Sequence, residues 1–243
     1  MIINLSNVNP NTRPEYPFQM NPRPRLKSQE EFRVSDKDLS WKFAEDFVVE
    51  SDEMLAARQH SLEQGVEPIS PGMGAQIAVI AAATRPRTII EIGTGLGVSG
   101  LWLMKGAPQA ILTSIDIELD YQQSARKAFS AAGIPVNRAR LITGRALDVL
   151  PRMNESSYDI VLVDADAHSV IEYVEHGLRL ARAGGTVLVT HALWRDRVPN
   201  PVQRDDTVAD YRTLLREIAA SPAVHSSLST LGDGLLQLTK VGD

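Results

Sequence analysis

The segment EIGTGLG, residues 91–97, places Gly93, Gly95 and Gly97 directly after the apolar run TIIEI and directly before a second apolar stretch that begins at Val98. Glycines at such a junction let the backbone bend sharply and bring its amides close to a ligand. Asp116 ends the next apolar run, where its carboxylate is placed to accept hydrogen bonds from the two hydroxyls of a ribose. Together these residues point to an adenosine-containing ligand. Gly95, Gly97 and Gly100, followed by Asp116, also satisfy the dinucleotide pattern G-x-G-x-x-G with its later acid. Glu91 separates the two readings. A carboxylate aimed into the pocket repels a pyrophosphate but welcomes the ammonium group of S-adenosylmethionine (SAM). Methyl transfer is therefore the preferred chemistry, with an NAD(P)-dependent oxidoreductase and a non-catalytic SAM-binding protein as the alternatives.

Residues with this task need strands to carry them. TIIEI (88–92), ILTSID (111–116), ARLIT (139–143), YDIVLVD (158–164) and TVLVT (186–190) read as buried parallel strands. Between and after them, residues 98–104, 119–132, 146–153, 169–181 and 206–220 read as helices, with Gly133 and Gly184 as C-terminal stops. The alternation predicts an α/β fold with a doubly wound, mostly parallel sheet. Residues 39–64 carry Phe43, Phe47, Val48, Met54, Leu55 and Leu62 at helical spacing and stop at Gly65, which predicts one or two N-terminal helices packed on the sheet. The end of the chain predicts a β-hairpin about Gly232-Asp233-Gly234. Residues 1–37, with five prolines, read as a flexible arm; residues 38–243 read as one domain, with a helical appendage over 38–85 and the α/β core over 86–243.

The composition narrows the partners. A formal charge of −5, from 25 basic and 30 acidic residues, gives no general attraction to nucleic acid or an anionic membrane. With no cysteine, disulfides, zinc-thiolate sites and thiol nucleophiles are excluded. The longest apolar run, Ile77 to Ala83, is too short to span a bilayer, and the start MIINLSNVNP lacks the pattern of a secretory signal. The expectation is a soluble, cytoplasmic protein acting on a small molecule.

Beyond these single features, the chain from about Trp41 onward resembles the catechol and caffeoyl-CoA O-methyltransferase-like family of SAM-dependent enzymes. The resemblance is carried, in order, by WKFAEDFVVESDEML, EIGTGLGVSGLWL, SIDIE, GRALDVLP, YDIVLVDAD and GGTVLVTHALW. It implies a class I, Rossmann-like methyltransferase fold, a homodimer, SAM as cofactor and S-adenosylhomocysteine (SAH) as product. By the same resemblance Glu91 and Gly93 line the methionine end of SAM, Ser99 binds its carboxylate, Asp116 holds the ribose and Ala146 flanks adenine. Thr94, Gly95, Gly97, Ile117 and Arg145 complete the cofactor-binding set, and Ser70 belongs to a segment that closes over it. Asp164 is implied to face both cofactor and metal.

Two departures stand out. The family's Asp-Asn pair of cation ligands is replaced by Thr190 and His191, which breaks a hard-oxygen site and puts the divalent cation in doubt. Its lysine, a candidate general base, is replaced by Ala167, with His168 alongside. A neutral imidazole suits the vacated role, so His191 and His168, with Asp164, are the catalytic candidates and no metal ligand is assigned. Asp164 with His191 retains the means to hold a transition metal weakly. His191 and His168 could equally be surface or packing residues, Asp164 and Asp166 could merely cap the following helix, and Trp194 either walls the acceptor pocket or packs in the core.

Overall fold

The computed structural model describes residues 36–242. The arm expected over residues 1–37 lies outside them, apart from its last two residues, which already belong to a helix. Residues 36–242 form one compact unit.

Three helices precede the sheet: α1 (Asp36–Asp46), α2 (Asp52–Glu63) and α3 (Pro71–Thr84). The hydroxyl of Ser51 caps α2 by accepting from the Met54 amide. Gly65, at φ 72°, closes the same helix, with its own amide on Leu62 O and that of Val66 on Ser61 O. The helical appendage expected over 38–85 contains α3, although the sequence gives this helix no bounds of its own. Its segment, PGMGAQIAVIAAAT, is apolar on most sides and so shows no amphipathic stripe; it forms because Ser70 caps it, Pro71 fits its first turn, and Met73, Ile77, Ile80 and Ala81 are buried.

The core alternates as expected: β1 (Thr88–Ile92), α4 (Val98–Gly106), β2 (Ile111–Asp116), α5 (Leu119–Ala131), β3 (Ala139–Thr143), α6 (Ala146–Val149), β4 (Tyr158–Val163), α7 (Val170–Leu180), β5 (Ala181–Val189), α8 (Asp206–Ala220), then β6 (Val224–Ser229) and β7 (Leu235–Lys240). Some boundaries differ from the sequence reading. The fifth strand begins five residues earlier than the expected Thr186, so Gly184 lies inside β5 and α7 ends at Leu180 instead. Pro151 cannot supply an amide to a continuing helix, and α6 passes into a 3-10 turn at Leu150–Arg152.

The seven strands lie in the order β3-β2-β1-β4-β5-β7-β6, with β1 to β5 parallel and β7 antiparallel to both β5 and β6. Successive strand residues feed opposite faces. Ile89, Leu112, Ile160, Leu162 and Leu188 pack with α2, α3 and α4 on one face; Ile90, Ile92, Val161, Val163, Val187 and Val189 pack with α7 and α8 on the other. Each such side chain contributes roughly 1.5–3 kcal/mol by leaving water. The chain order reverses between β1 and β4, and there the loops after the two strands part to leave a crevice, the usual ligand position in an open α/β sheet.

Candidate active site

The three glycines of the loop after β1 have different reasons to be glycine. A Cβ on Gly93, at φ 91°, would overlap the backbone carbonyl of Asp164, so this residue brings the ends of β1 and β4 together. A Cβ on Gly97 would press on Ala125 and Phe129 of α5. Only Gly95, at φ 48°, faces open space, with Val66 Cγ1 the nearest atom at 3.7 Å. Open space for a close ligand approach is thus found at Gly95, while Gly93, which also lines the larger cavity, and Gly97 are required to be glycine by packing.

Asp116, at the end of β2, holds this loop in shape. Its Oδ2 accepts from the amides of Thr94 (2.9 Å) and Gly95 (2.8 Å), and its Oδ1 from the Glu118 amide (2.9 Å). Below the loop runs a buried chain of donors: Gln122 Nε2 gives to Thr94 Oγ1 (2.9 Å), Thr94 and Ser114 hydroxyls are 2.6 Å apart, and Ser114 Oγ gives to Glu91 Oε2 (2.5 Å). Glu91 itself is completely buried and its Oε1 has no hydrogen-bond partner among the described residues. Burial pushes its carboxyl up to about 8; the Ser114 hydrogen bond and the nearby Ser99 hydroxyl only partly offset this, and the charges of Asp164 and Asp116 add to it. Glu91 is therefore protonated near neutral pH and lies behind the loop, which corrects the expectation of a carboxylate in the open pocket.

Two cavities flank Gly95. The larger, about 500 Å³, lies between Gly93, Asp116, Ile117, Arg145, Ala146 and Asp164. The smaller, about 210 Å³, lies between Ile69, Thr94, Ser99, Asp164, His191 and Trp194. Val66, Gly95, Asp164 and Ala165 line both, so the cavities meet at the ends of β1 and β4. Of the expected cofactor residues, Ser70 lines neither: its hydroxyl gives to Glu45 Oε1 of α1 (2.9 Å) and accepts from the Met73 amide (3.2 Å). Gly97 and Glu91 also stand outside both linings.

The catalytic candidates separate. His168 is exposed in the 3-10 turn before α7, its Nδ1 3.4 Å from Thr207 of α8, and lines neither cavity. Asp166 caps that turn through the Ser169 amide and accepts from Tyr173 OH at 2.6 Å. His191, in contrast, is held beside Asp164. Its Nδ1 is 2.6 Å from Asp233 Oδ1, and its Nε2 is 3.4 Å from Asp164 Oδ1, which also accepts from Thr190 Oγ1 at 2.6 Å. Burial alone would lower its pKa, but the hydrogen bonds of Asp164 and Asp233, and their charges, push it up to about 10. The ring is an imidazolium at neutral pH, not the neutral base expected from the sequence. Asp233 was missed as a site residue; the only signal was an acid between two glycines of a hairpin turn. Trp194 lines the smaller cavity and also stacks on Tyr211, ring centroids 5.8 Å apart.

The divalent cation of the resembled family does not fit these residues. Thr190 spends its hydroxyl on Asp164, and the two carboxylates sit on opposite nitrogens of the His191 ring, so they do not converge on one point as an octahedral oxygen site requires. Among the described residues no group of three or more His, Asp or Glu side chains is arranged to hold an ion.

A doubly wound sheet with a glycine loop at its switch point, an acid ending β2 and paired cavities at the strand ends defines a class I methyltransferase. The comparisons agree. The family model for O-methyltransferases matches residues 51–241. A curated Mycobacteroides abscessus protein with a provisional O-methyltransferase name is 40% identical over 198 residues, which cover 81% of this chain and 92% of its own. The O-methyltransferase TomG of Streptomyces achromogenes, solved in complex with SAM, is 27% identical with a TM-score of 0.75, covering 88% of this chain and 100% of TomG. A Corynebacterium glutamicum protein shares the fold at a TM-score of 0.79, with 24% identity over 86% of this chain and 99% of its own. The chain belongs to the O-methyltransferase family, and these matches favour methyl transfer over the nicotinamide-dependent alternative.

Proposed function

We propose that this enzyme moves a methyl group from SAM to an oxygen of a small-molecule acceptor, with the cofactor in the larger cavity and the acceptor entering the smaller one. The observation that carries this reading is the meeting of the two cavities at Gly95 and Asp164. The larger cavity has the size of a cofactor pocket. Gly95 leaves room for a ligand, and Asp116 and Ile117 stand where a ribose would lie, with Arg145 and Ala146 on the adenine side. The amino-acid end passes Gly95 and reaches Ser99 in the near part of the smaller cavity, which leaves the His191 and Trp194 side to the acceptor. When bound, SAM would supply a sulfonium methyl group to the acceptor oxygen, the carbon–sulfur bond breaking and the hydroxyl proton passing to solvent, to give SAH and a methyl ether or ester. The residues of the chain align the two partners and exclude water, and such positioning supplies much of the rate.

The reading extends to a reaction without magnesium, because the residues at the cation position are committed to one another. It also extends to a homodimer working in the cytoplasm. Support for the dimer comes from α1 and the turn after it, which expose Leu39, Phe43, Phe47 and Val49; no described helix is long and apolar enough to cross a membrane. The test is incubation of the full chain with methyl-labelled SAM, EDTA and a panel of phenols, catechols and hydroxylated acyl compounds. Labelled methyl ether or ester formed in EDTA is the expected product. Turnover only after magnesium is added would remove the metal-free part, and tight SAM binding without turnover on any acceptor would favour a non-catalytic SAM-binding protein.

A further inference from the structure

The turn between β6 and β7 reaches back to the smaller cavity. Ala192 N gives to Gly234 O (2.9 Å), Leu193 N to Asp233 O (2.8 Å) and Arg195 N to Asp233 Oδ2 (3.1 Å), while Asp233 Oδ1 takes His191 Nδ1 (2.6 Å). The segment held in this way is unusual. His191, Trp194, Arg195 and Asp196 all have φ between 46° and 59°, and they make up four of the six described non-glycine residues with positive φ. Such conformations persist only where the surroundings over-determine them.

Both glycines beside Asp233 are fitted to that purpose. A Cβ on Gly234 would lie 2.6 Å from Leu193 N, and one on Gly232 would lie 2.9 Å from Met73 Cε and 3.1 Å from Ser70 Oγ. The sequence Gly-Asp-Gly is therefore a wedge between the start of α3 and the 191–196 segment, with the carboxylate as its point. One carboxylate oxygen fixes the ring of His191 and the other fixes the backbone of Arg195.

We propose that Asp233 is a positioning residue of the acceptor pocket: it orients His191 so that Nδ1 is occupied and the Nε2 N–H is the donor offered to an acceptor oxygen beside Asp164. Nε2 is the looser end of the ring, at 3.4 Å from Asp164 Oδ1 against 2.6 Å for the bond to Asp233, and His191 lines the smaller cavity. The Asp164 oxygen it faces already receives the Thr190 hydroxyl, so an acceptor oxygen can draw Nε2 away without leaving that oxygen unpaired. One N–H recognises one oxygen. A single hydroxyl on the acceptor is then sufficient, in contrast to a chelating cation that grips two neighbouring oxygens.

This inference rests on the methyltransferase reading, and its test keeps the two apart. Full-length protein labelled with nitrogen-15 at histidine is saturated with SAH, in EDTA, and the His191 signals, assigned with His191→Gln, are followed by NMR on adding 4-nitrophenol or 4-nitrocatechol. The expected result is a strongly deshielded Nδ1 proton that loses its deshielding in Asp233→Asn, and an Nε2 signal that moves with either phenol. SAH affinity by calorimetry should stay within about twofold in Asp233→Asn, while the phenol concentration for half-maximal change rises at least about tenfold, or ~1.4 kcal/mol. An Nδ1 proton unaffected by Asp233→Asn, or an Nε2 signal that neither phenol moves, would overturn the role of Asp233. Failure of the wild-type protein to bind SAH would strike the methyltransferase reading instead.

Discussion

At the scale of single residues the site is organised by shared protons. His191 is charged in the folded chain up to a pH of about 10, whereas in the unfolded chain it is charged only below its ordinary value of 6.5. A raised histidine contributes stability that is complete below the unfolded pKa and is lost as pH rises through the folded one. Urea unfolding of the wild type should therefore show stability falling between about pH 7 and pH 10, and His191→Gln should flatten that slope; parallel curves for the two proteins would deny the imidazolium. Glu91 acts in the same direction. Its folded pKa of about 8 against 4.5 when unfolded makes the native state lose stability as pH rises through that window, so Glu91→Gln should gain relative to wild type at about pH 9 and not at about pH 5. Asp116→Ala removes the acceptor of three amides as well as the charge beside Ile117, and SAH affinity should drop by about 1.5–3 kcal/mol in calorimetry. An unchanged dissociation constant would show that the ligand does not touch this strand end.

At the scale of elements, the loop after β1 shows why a glycine motif is a weak signal until each position is placed. Gly93→Ala meets the Asp164 carbonyl and should unfold the chain or cost several kcal/mol, the range reserved for overpacked or strained sites. Gly95→Ala meets only open space and a left-handed backbone, so it should cost about 1–2 kcal/mol of stability while lowering SAH affinity at least about tenfold. Equal stability losses in the two variants would contradict this assignment. The sequence made β1 to β4 legible nearly residue for residue, because buried strands bounded by glycines and charged helices give a clear change of pattern. It gave α3 no bounds of its own, since a helix that is apolar even on its exposed side has no polar stripe, and it misread Gly184 because a positive-φ glycine inside a strand looks like a helix stop. Asp116, Ile117, Arg145, Ala146 and Asp164, read as cofactor-binding residues, line one cavity together. His168 lines neither cavity, and nothing in its spacing distinguishes a histidine facing α8 from one facing the crevice. The link from His191 to Asp233 spans 42 residues and depends on how the terminal hairpin folds back, which no local pattern encodes.

At the scale of the whole molecule, the proposed function divides the crevice into a cofactor half and an acceptor half. The sheet, the β1 to β4 crevice and the larger cavity follow from the parallel strands, and the smaller cavity is closed by pieces from far apart in the chain: the segment before α3, the 191–196 segment and the terminal turn behind it. That division predicts a clean separation of effects. Changes on the larger cavity should alter SAM and SAH binding, and changes at His191 or Asp233 should alter acceptor handling with the cofactor affinity retained. Before either can be measured, the central claim is that the larger cavity takes SAM. Isothermal titration of SAM, SAH and NADH, side by side, into the full chain in EDTA tests it most directly. Saturable binding of SAM and SAH at one site per chain, with no binding of NADH, is the expected outcome; absence of heat with both SAM and SAH, or saturation by NADH instead, would overturn the assignment.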